Sequence, residues 1–170
     1  MGYAVLHIDK ARSNDSGNTA HIARTYTPSN VDPSRTHLNR ELYQFPANVT
    51  NRSEAIEHRI ATAGIYRKVA KNQVKALRFI LSSSPKDMAR IEQEGRLYEW
   101  CDESMDWLRS TFGADNVVAA TLHADEETPH IHATVVPIVT GERRKAKEEA
   151  ENGKRKYKTK KNKVRLCADD

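Results

Sequence analysis

The sequence predicts an α+β domain, an antiparallel β-sheet of about five strands with helices packed on its faces. Three observations carry this. Period-two alternation or short apolar runs recur at residues 3–9, 73–82, 116–123 and 130–139, as strands require. Residues 85–112 instead repeat with helical spacing. The order of these segments (strand, loop and short helix, strand, long helix, strand pair) is that of an antiparallel sheet covered by helices.

Each element has a local reason. Residues 10–20 are rich in Ser, Asn, Asp and Gly and read as a loop or helix entry, leading into His21-Ile22-Ala23-Arg24. If this turn is helical, His21 and Arg24 share one face. Residues 27–40 carry Pro28, Asn30, Asp32 and Pro33 and read as irregular. A short helix is expected over 53–60 with Ser53 as its cap, and a second helical patch over 66–71. Ser84-Pro85-Lys86-Asp87 then combines a capping serine, a first-turn proline and an early acidic residue. The helix it opens places Met88, Ile91, Leu97, Trp100, Cys101, Met105, Leu108 and Phe112 toward one side, with Gly95 weakening its middle and Gly113 as a C-cap. Trp100 and Trp107, two helical turns apart, are expected in the core. No internal repeat is visible.

At 170 residues the chain is long enough for one domain with a real core, although 38% apolar and 30% charged residues predict an open, solvated fold. No run of about 18 apolar residues could span a bilayer, so no membrane segment is expected. The N-terminus has neither the basic flank nor the cleavage site of a signal peptide. Cys101 and Cys167 lack any paired spacing and read as reduced cytoplasmic thiols. The formal charge of +5 is uneven: residues 141–165 hold twelve of the 28 Lys and Arg against four of the 23 acidic residues, leaving the body slightly acidic. A local basic stretch of this kind binds polyanions, nucleic acid first among them. The expected organisation is a catalytic domain over 1–140 and a basic arm over 141–170, the continuing edge of the same domain in a chain that ran on further.

The richest segment is His123-Ala124-Asp125-Glu126-Glu127-Thr128-Pro129-His130-Ile131-His132. His130 and His132 stand two apart in a strand, so both imidazoles point to one face. His123 closes the preceding apolar run, and a hairpin would bring it alongside. Three convergent imidazoles with carboxylates beside them suit a divalent metal with open positions, such as zinc, manganese, nickel or iron. Asp125, Glu126 or Glu127 could complete the shell, orient a histidine or act as a base. His7 and His58 read as ordinary surface or satisfied histidines. A second group, His21 and Arg24 with Arg35 and His37, has the residue types that grip and attack phosphate.

His130-Ile131-His132 resembles the His-hydrophobic-His signature of the HUH endonucleases that start rolling-circle replication and conjugative transfer. With His123-x-Asp125-Glu126-x-x-Pro129, His21-x-x-Arg24 and Pro33-Ser34-Arg35-x-His37-Leu38-Asn39-x-Glu41-Leu42, the resemblance narrows to the MobV (Pre/Mob) relaxases and spans residues 1–140. It implies the HUH relaxase fold and an enzyme that nicks one DNA strand at an origin of transfer by metal-assisted transesterification. The enzyme would stay joined to the 5′-phosphate. It implies Mn²⁺ or Mg²⁺ on His123, His130 and His132, His21 as nucleophile, Arg24 on phosphate and Glu126 as base or orienter. Family members often carry a tyrosine where this chain has Arg40, so Tyr26 and Tyr43 are the alternative nucleophiles. Arg35, His37 and Asn39, with Arg143, Arg144, Lys145, Lys154, Arg155 and Lys156 of the basic stretch, would contact DNA. Single-stranded or hairpin origin DNA, other relaxosome proteins and a conjugative coupling protein would be the partners, in a bacterial cytoplasm. The other readings are a rolling-circle replication initiator and a non-catalytic, metal-stabilised DNA-binding module.

Overall fold

A computed structural model describes residues 3–12, 16–141 and 164–168. Its elements are β1 (Ala4–Ala11), α1 (Ser16–Ile22), a 3-10 helix over Pro33–Leu38, β2 (Arg40–Glu41), α2 (Arg52–Thr62), β3 (Ala76–Ser83), α3 (Pro85–Gln93), α4 (Leu97–Phe112), a 3-10 turn over Ala114–Asn116, β4 (Val117–His123), β5 (His130–Val135), β6 (Ile138–Val139) and β7 (Arg165–Leu166). Five strands form one sheet in the order β1-β3-β5-β4-β2, every neighbouring pair antiparallel. The α+β architecture with helices on both faces is the one the sequence predicts.

One face packs on α4. Leu77 and Phe79 of β3, Ala120 and Leu122 of β4, and Ile131, Ala133 and Val135 of β5 meet Cys101, Met105 and Leu108 of the helix. These are alternate strand positions set against i, i+4 and i+7 of the helix, the two periodicities that let a sheet and a helix share one apolar layer. Each fully buried Leu, Ile or Phe adds about 1.5–3 kcal/mol relative to exposure. A second cluster joins Ala55 and Ile56 of α2 to Val49, Ala76, Val118, Val136 and Ile138. Leu166 belongs to this cluster, and β7 pairs with β6, so residues 164–168 return to the body of the fold. The basic residues Arg143, Arg144, Lys145, Lys154, Arg155 and Lys156 lie outside the described residues.

Four local expectations change. The long helix is two helices, α3 and α4, divided at Gly95, whose φ of +69° breaks the helical path. The cap of α2 is Asn51, whose side chain accepts from the Glu54 backbone N–H at 3.0 Å. Ser53 instead meets the Thr19 hydroxyl at 3.2 Å, tying α2 to α1. Residues 66–71 form no helix; their backbone is irregular and leads into β3. Trp100 is only partly buried against the α4 core, and Trp107 is 40% exposed, stacked edge-on to Phe112. With the indole nitrogen needing a partner or water, the outer face of α4 suits it better than the sheet interior.

Candidate metal and phosphate-transfer site

The sheet register builds the site. His123 at the end of β4 pairs directly with His130 at the start of β5, while His132 lies opposite Thr121 on one side and Ile80 on the other. Directly paired residues share a face, so the three imidazoles project together beneath α1. Their ring centroids lie 4.7 to 5.4 Å apart. His21, at the end of α1, joins from above, 5.9 Å from His132 and 6.1 Å from His123. Glu126, in the β4–β5 loop, sets Oε1 3.7 Å from His123 Nδ1, 3.9 Å from His130 Nε2 and 4.0 Å from His21 Nε2.

Hydrogen bonds fix which nitrogens face inward. The Ile22 carbonyl can only accept, so His123 Nε2 carries the proton, at 2.9 Å, and Nδ1 turns its lone pair inward, where it accepts from Arg24 Nη2 at 2.9 Å. The Thr128 carbonyl likewise takes the His130 Nδ1 proton at 2.9 Å, so His130 Nε2 accepts from His132 Nε2, 3.1 Å away. Burial, followed by the Arg24 charge, lowers the His123 pKa to about 4. Burial and then the neighbouring imidazoles lower His132 to about 2. His123 and His132 are therefore neutral near neutral pH, as metal ligands must be.

Two ligand sets have donor atoms within 4.8 Å of one another, His21-His123-His132 and His123-Glu126-His130, and the expected trio His123, His130 and His132 is divided between them. Imidazoles gathered on one face, with His123 and His130 held by backbone carbonyls on their outer nitrogens and one carboxylate beside them, fit a divalent cation.

Arg24 lies at the centre of the charge arrangement. It has φ +52°, the only non-glycine residue with positive φ among the described residues. This turn follows α1 at once and swings the guanidinium under the cluster. There Nε and Nη2 grip Asp125 in a two-point pair at 3.0 and 2.7 Å, Nη2 reaches Glu126 at 2.6 Å, and Nη1 donates to the His21 carbonyl at 3.1 Å. Asp125 has no exposed surface and also accepts from Thr36 (3.1 Å) and Asn39 (2.7 Å). Burial alone would raise its pKa; the Arg24 and Asn39 hydrogen bonds overcome this and hold it at about 2. Asn30 donates to the other Glu126 oxygen at 2.8 Å.

The structure therefore gathers His21, Arg24, His123, Glu126, His130 and His132 at one point. Asn39 is turned inward, bonded to Asp125 and to the Ala124 backbone N–H. Arg35 pairs with Glu92 at 3.2 Å, and His37 is exposed on the 3-10 helix. Tyr26 is 52% exposed with its ring 6.3 Å from that of His21. Tyr43 stacks on Phe45 and packs toward the α4 core. Asp125 is the residue whose part the sequence did not reveal: it joins all three motifs, although in sequence it is one of three adjacent loop acids. Arg52, at the start of α2 and 3.5 Å from the His132 carbonyl, carries no sequence signal at all.

Residues 1–166 match the Mob_Pre family, described as plasmid recombination enzyme. The chain belongs to this family. It is 32% identical over 162 residues to the plasmid recombination enzyme type 3 of Staphylococcus aureus, covering 91% of this chain and 38% of that protein. With the plasmid recombination enzyme of Streptococcus agalactiae it shares 24% identity over 83% of this chain and 29% of that protein. The chain thus spans well under half the length of these curated relatives. A solved structure of the MobM relaxase domain bound to plasmid pMV158 oriT DNA, with manganese, superposes with a TM-score of 0.72 at 26% identity. That match covers 88% of this chain and 80% of the domain, so this Mob_Pre chain has the MobM relaxase-domain fold.

Proposed function

We propose that this Mob_Pre chain is a relaxase that nicks one strand at an origin of transfer for plasmid mobilisation in the bacterial cytoplasm. The observation that carries the reading is the convergence of His21 with a metal-ready histidine cluster and an ion-paired Glu126. MobM, its relative by fold and sequence, has been solved with manganese and oriT DNA. Single-stranded or hairpin origin DNA is the expected substrate, Mn²⁺ the first choice of metal and Mg²⁺ the second. Other relaxosome proteins and a conjugative coupling protein are the further partners expected. No described helix is long and apolar enough to cross a membrane.

His123, His130 and His132 would hold the ion, which when bound supplies charge to the non-bridging oxygens of the scissile phosphate. His21 is kept neutral by partial burial and by the Arg24 charge, against the opposing pull of Glu126. Its lone-pair nitrogen attacks phosphorus, and a P–N bond forms as the P–O3′ bond breaks. The 3′ oxygen leaves as a hydroxyl with a proton from solvent, and the imidazole gives its N–H proton to Glu126. The phosphoramidate keeps the 5′-phosphate on the protein, ready for rejoining. Arg24, committed to Asp125 and Glu126, acts as the positioning residue for this pair. The phosphate contacts fall to Arg35, His37 and the basic residues of 143–156. Exposed Tyr26 is available to stack on a base beside the cut.

Incubation of supercoiled DNA carrying the cognate origin with the protein and Mn²⁺ tests the reading. Relaxed, singly nicked product is expected, lost on chelation and in His130→Ala. Binding without nicking under any divalent metal would favour the non-catalytic DNA-binding module.

A further inference from the structure

The connection from α2 to β3 carries a ring that the nicking chemistry does not use: Tyr66, 91% exposed. It lies beyond the end of β3 away from the histidine cluster. Ala76, where β3 begins, is four residues before Ile80, the neighbour of His132, or about 13 Å along the strand. Residues 63–75 contain no Asp or Glu and four cations, Arg67, Lys68, Lys71 and Lys75. Lys75 is held by Glu57 at 2.8 Å. Arg67, Lys68 and Lys71 are exposed and have no hydrogen bond or ion pair among the described residues. The backbone beneath them is anchored. Ile65 and Val69 pack against the cluster of Ala55, Ile56 and Val136. The Ala70 N–H donates to the Gln73 side-chain oxygen at 3.3 Å, and the Gln73 N–H returns to the Ala70 carbonyl at 3.1 Å. Gln73 Nε2 donates to the Leu166 carbonyl at 3.1 Å. Val164 and Leu166, at the close of the basic 141–165 stretch, belong to the same cluster, so the three unpaired cations adjoin the point where that stretch rejoins the fold.

A solitary exposed aromatic is ordinary on a protein surface. A ring bracketed by three cations with no acid to neutralise them is a different feature. It combines the two elements that hold a single strand, a flat face for an unpaired base and charges for the phosphates on either side. A duplex hides its base faces and could use the cations alone. We propose that residues 66–71 form a second DNA-contact surface, where Tyr66 stacks on an unpaired base of the substrate strand and Arg67, Lys68 and Lys71 contact the flanking phosphates. The inference rests on the relaxase reading for the identity of that strand. Because the backbone is already fixed, little ordering is needed when the strand arrives. The surface is remote from the scissile phosphate, so it adds affinity for the strand and takes no part in the chemistry.

The test measures binding of a single-stranded oligothymidylate by fluorescence anisotropy over a salt series, with chelator present so that the metal takes no part. Tyr66→Ala should bind about tenfold more weakly, the loss of one base stack. Its log–log salt slope should match that of the parent, since no charge is removed, and Tyr66→Phe should restore the affinity. Arg67→Gln and Lys68→Gln should each lower the magnitude of the slope by about 0.7, one phosphate contact on a single strand. Arg109→Gln, an exposed arginine on α4, should leave both affinity and slope unchanged. On a duplex of the same length Tyr66→Ala should have no effect. Unaltered single-strand binding in Tyr66→Ala, an equal loss on duplex, an equal slope change in Arg109→Gln, or absence of binding by the parent would overturn the proposal. Nicking by the parent with unaltered Tyr66→Ala binding removes this surface alone. The expected losses without any nicking under Mn²⁺ remove the relaxase reading and leave a surface for single strands standing.

Discussion

Arg24 shows how one residue carries both strain and charge for the site. A positive φ at a non-glycine residue costs roughly 1–2 kcal/mol, and four hydrogen-bonded partners hold Arg24 there: Asp125, Glu126, the His21 carbonyl and His123. With side-chain exposures of 9% and 0%, Arg24 and Asp125 form a buried ion pair whose hydrogen-bonding capacity is well used. Such pairs add little net stability, yet removing one partner strands the other in a low-dielectric site. Asp125→Ala and Arg24→Ala should each lower unfolding free energy by about 3–5 kcal/mol in urea titrations. Arg24→Lys should recover little, because a lysine cannot make the two-point contact. A loss below about 1 kcal/mol in either alanine variant would show that the pair is not the clamp described.

At the scale of elements, the parts legible in the sequence are those with a strict period. The apolar run over 117–122 located β4, and the strand expected over 130–139 is β5 only to Val135, after which β6 (Ile138–Val139) joins a second sheet; the two-residue spacing of His130 and His132 was enough to place both rings on one face. Ser84, Pro85 and Asp87 marked the start of α3 because capping is a local event, and the Ser84 side chain does accept from the Asp87 N–H. What escaped depends on contacts distant in sequence. Ser53 is an adequate cap by type, but α1 lies close enough to take its hydroxyl, so Asn51 caps instead. The part played by Asp125 could not be read because its partners, Arg24, Thr36 and Asn39, lie 86 to 101 residues away. The break between α3 and α4 was visible only as a weak point, since the apolar pattern runs through Gly95 undisturbed. A Cβ at Gly95 would meet no atom within 4 Å, so the cost of Gly95→Ala is one of backbone conformation alone. Thermal unfolding should show a loss of about 1–2 kcal/mol; no change would mean that the left-handed break is not required.

Across the whole molecule, the histidine cluster couples folding to protons and to metal. His123 and His132 have folded-state pKa values near 4 and 2, below the ordinary 6.5. The unfolded chain therefore binds protons below pH 6.5 that the folded chain refuses. The stability from keeping these rings neutral is fully present above pH 6.5 and is lost as pH falls toward the folded values. In the presence of a chelator, urea unfolding should lose up to about 2 kcal/mol per histidine between about pH 7 and pH 5. Excess Mn²⁺ at neutral pH should raise the melting temperature, and His130→Ala should cancel that rise. A pH-independent stability would contradict the burial and neutrality of these rings.

His21 is the proposed nucleophile that joins protein to DNA. The direct measurement mixes the protein with a single-stranded oligonucleotide of the cognate origin and Mn²⁺, and looks for a covalent adduct on a denaturing gel. An adduct is expected in the parent and in Tyr26→Phe and Tyr43→Phe, with an acid-labile, alkali-stable bond, and none in His21→Ala. An adduct that persists in His21→Ala and disappears in either tyrosine variant would contradict it.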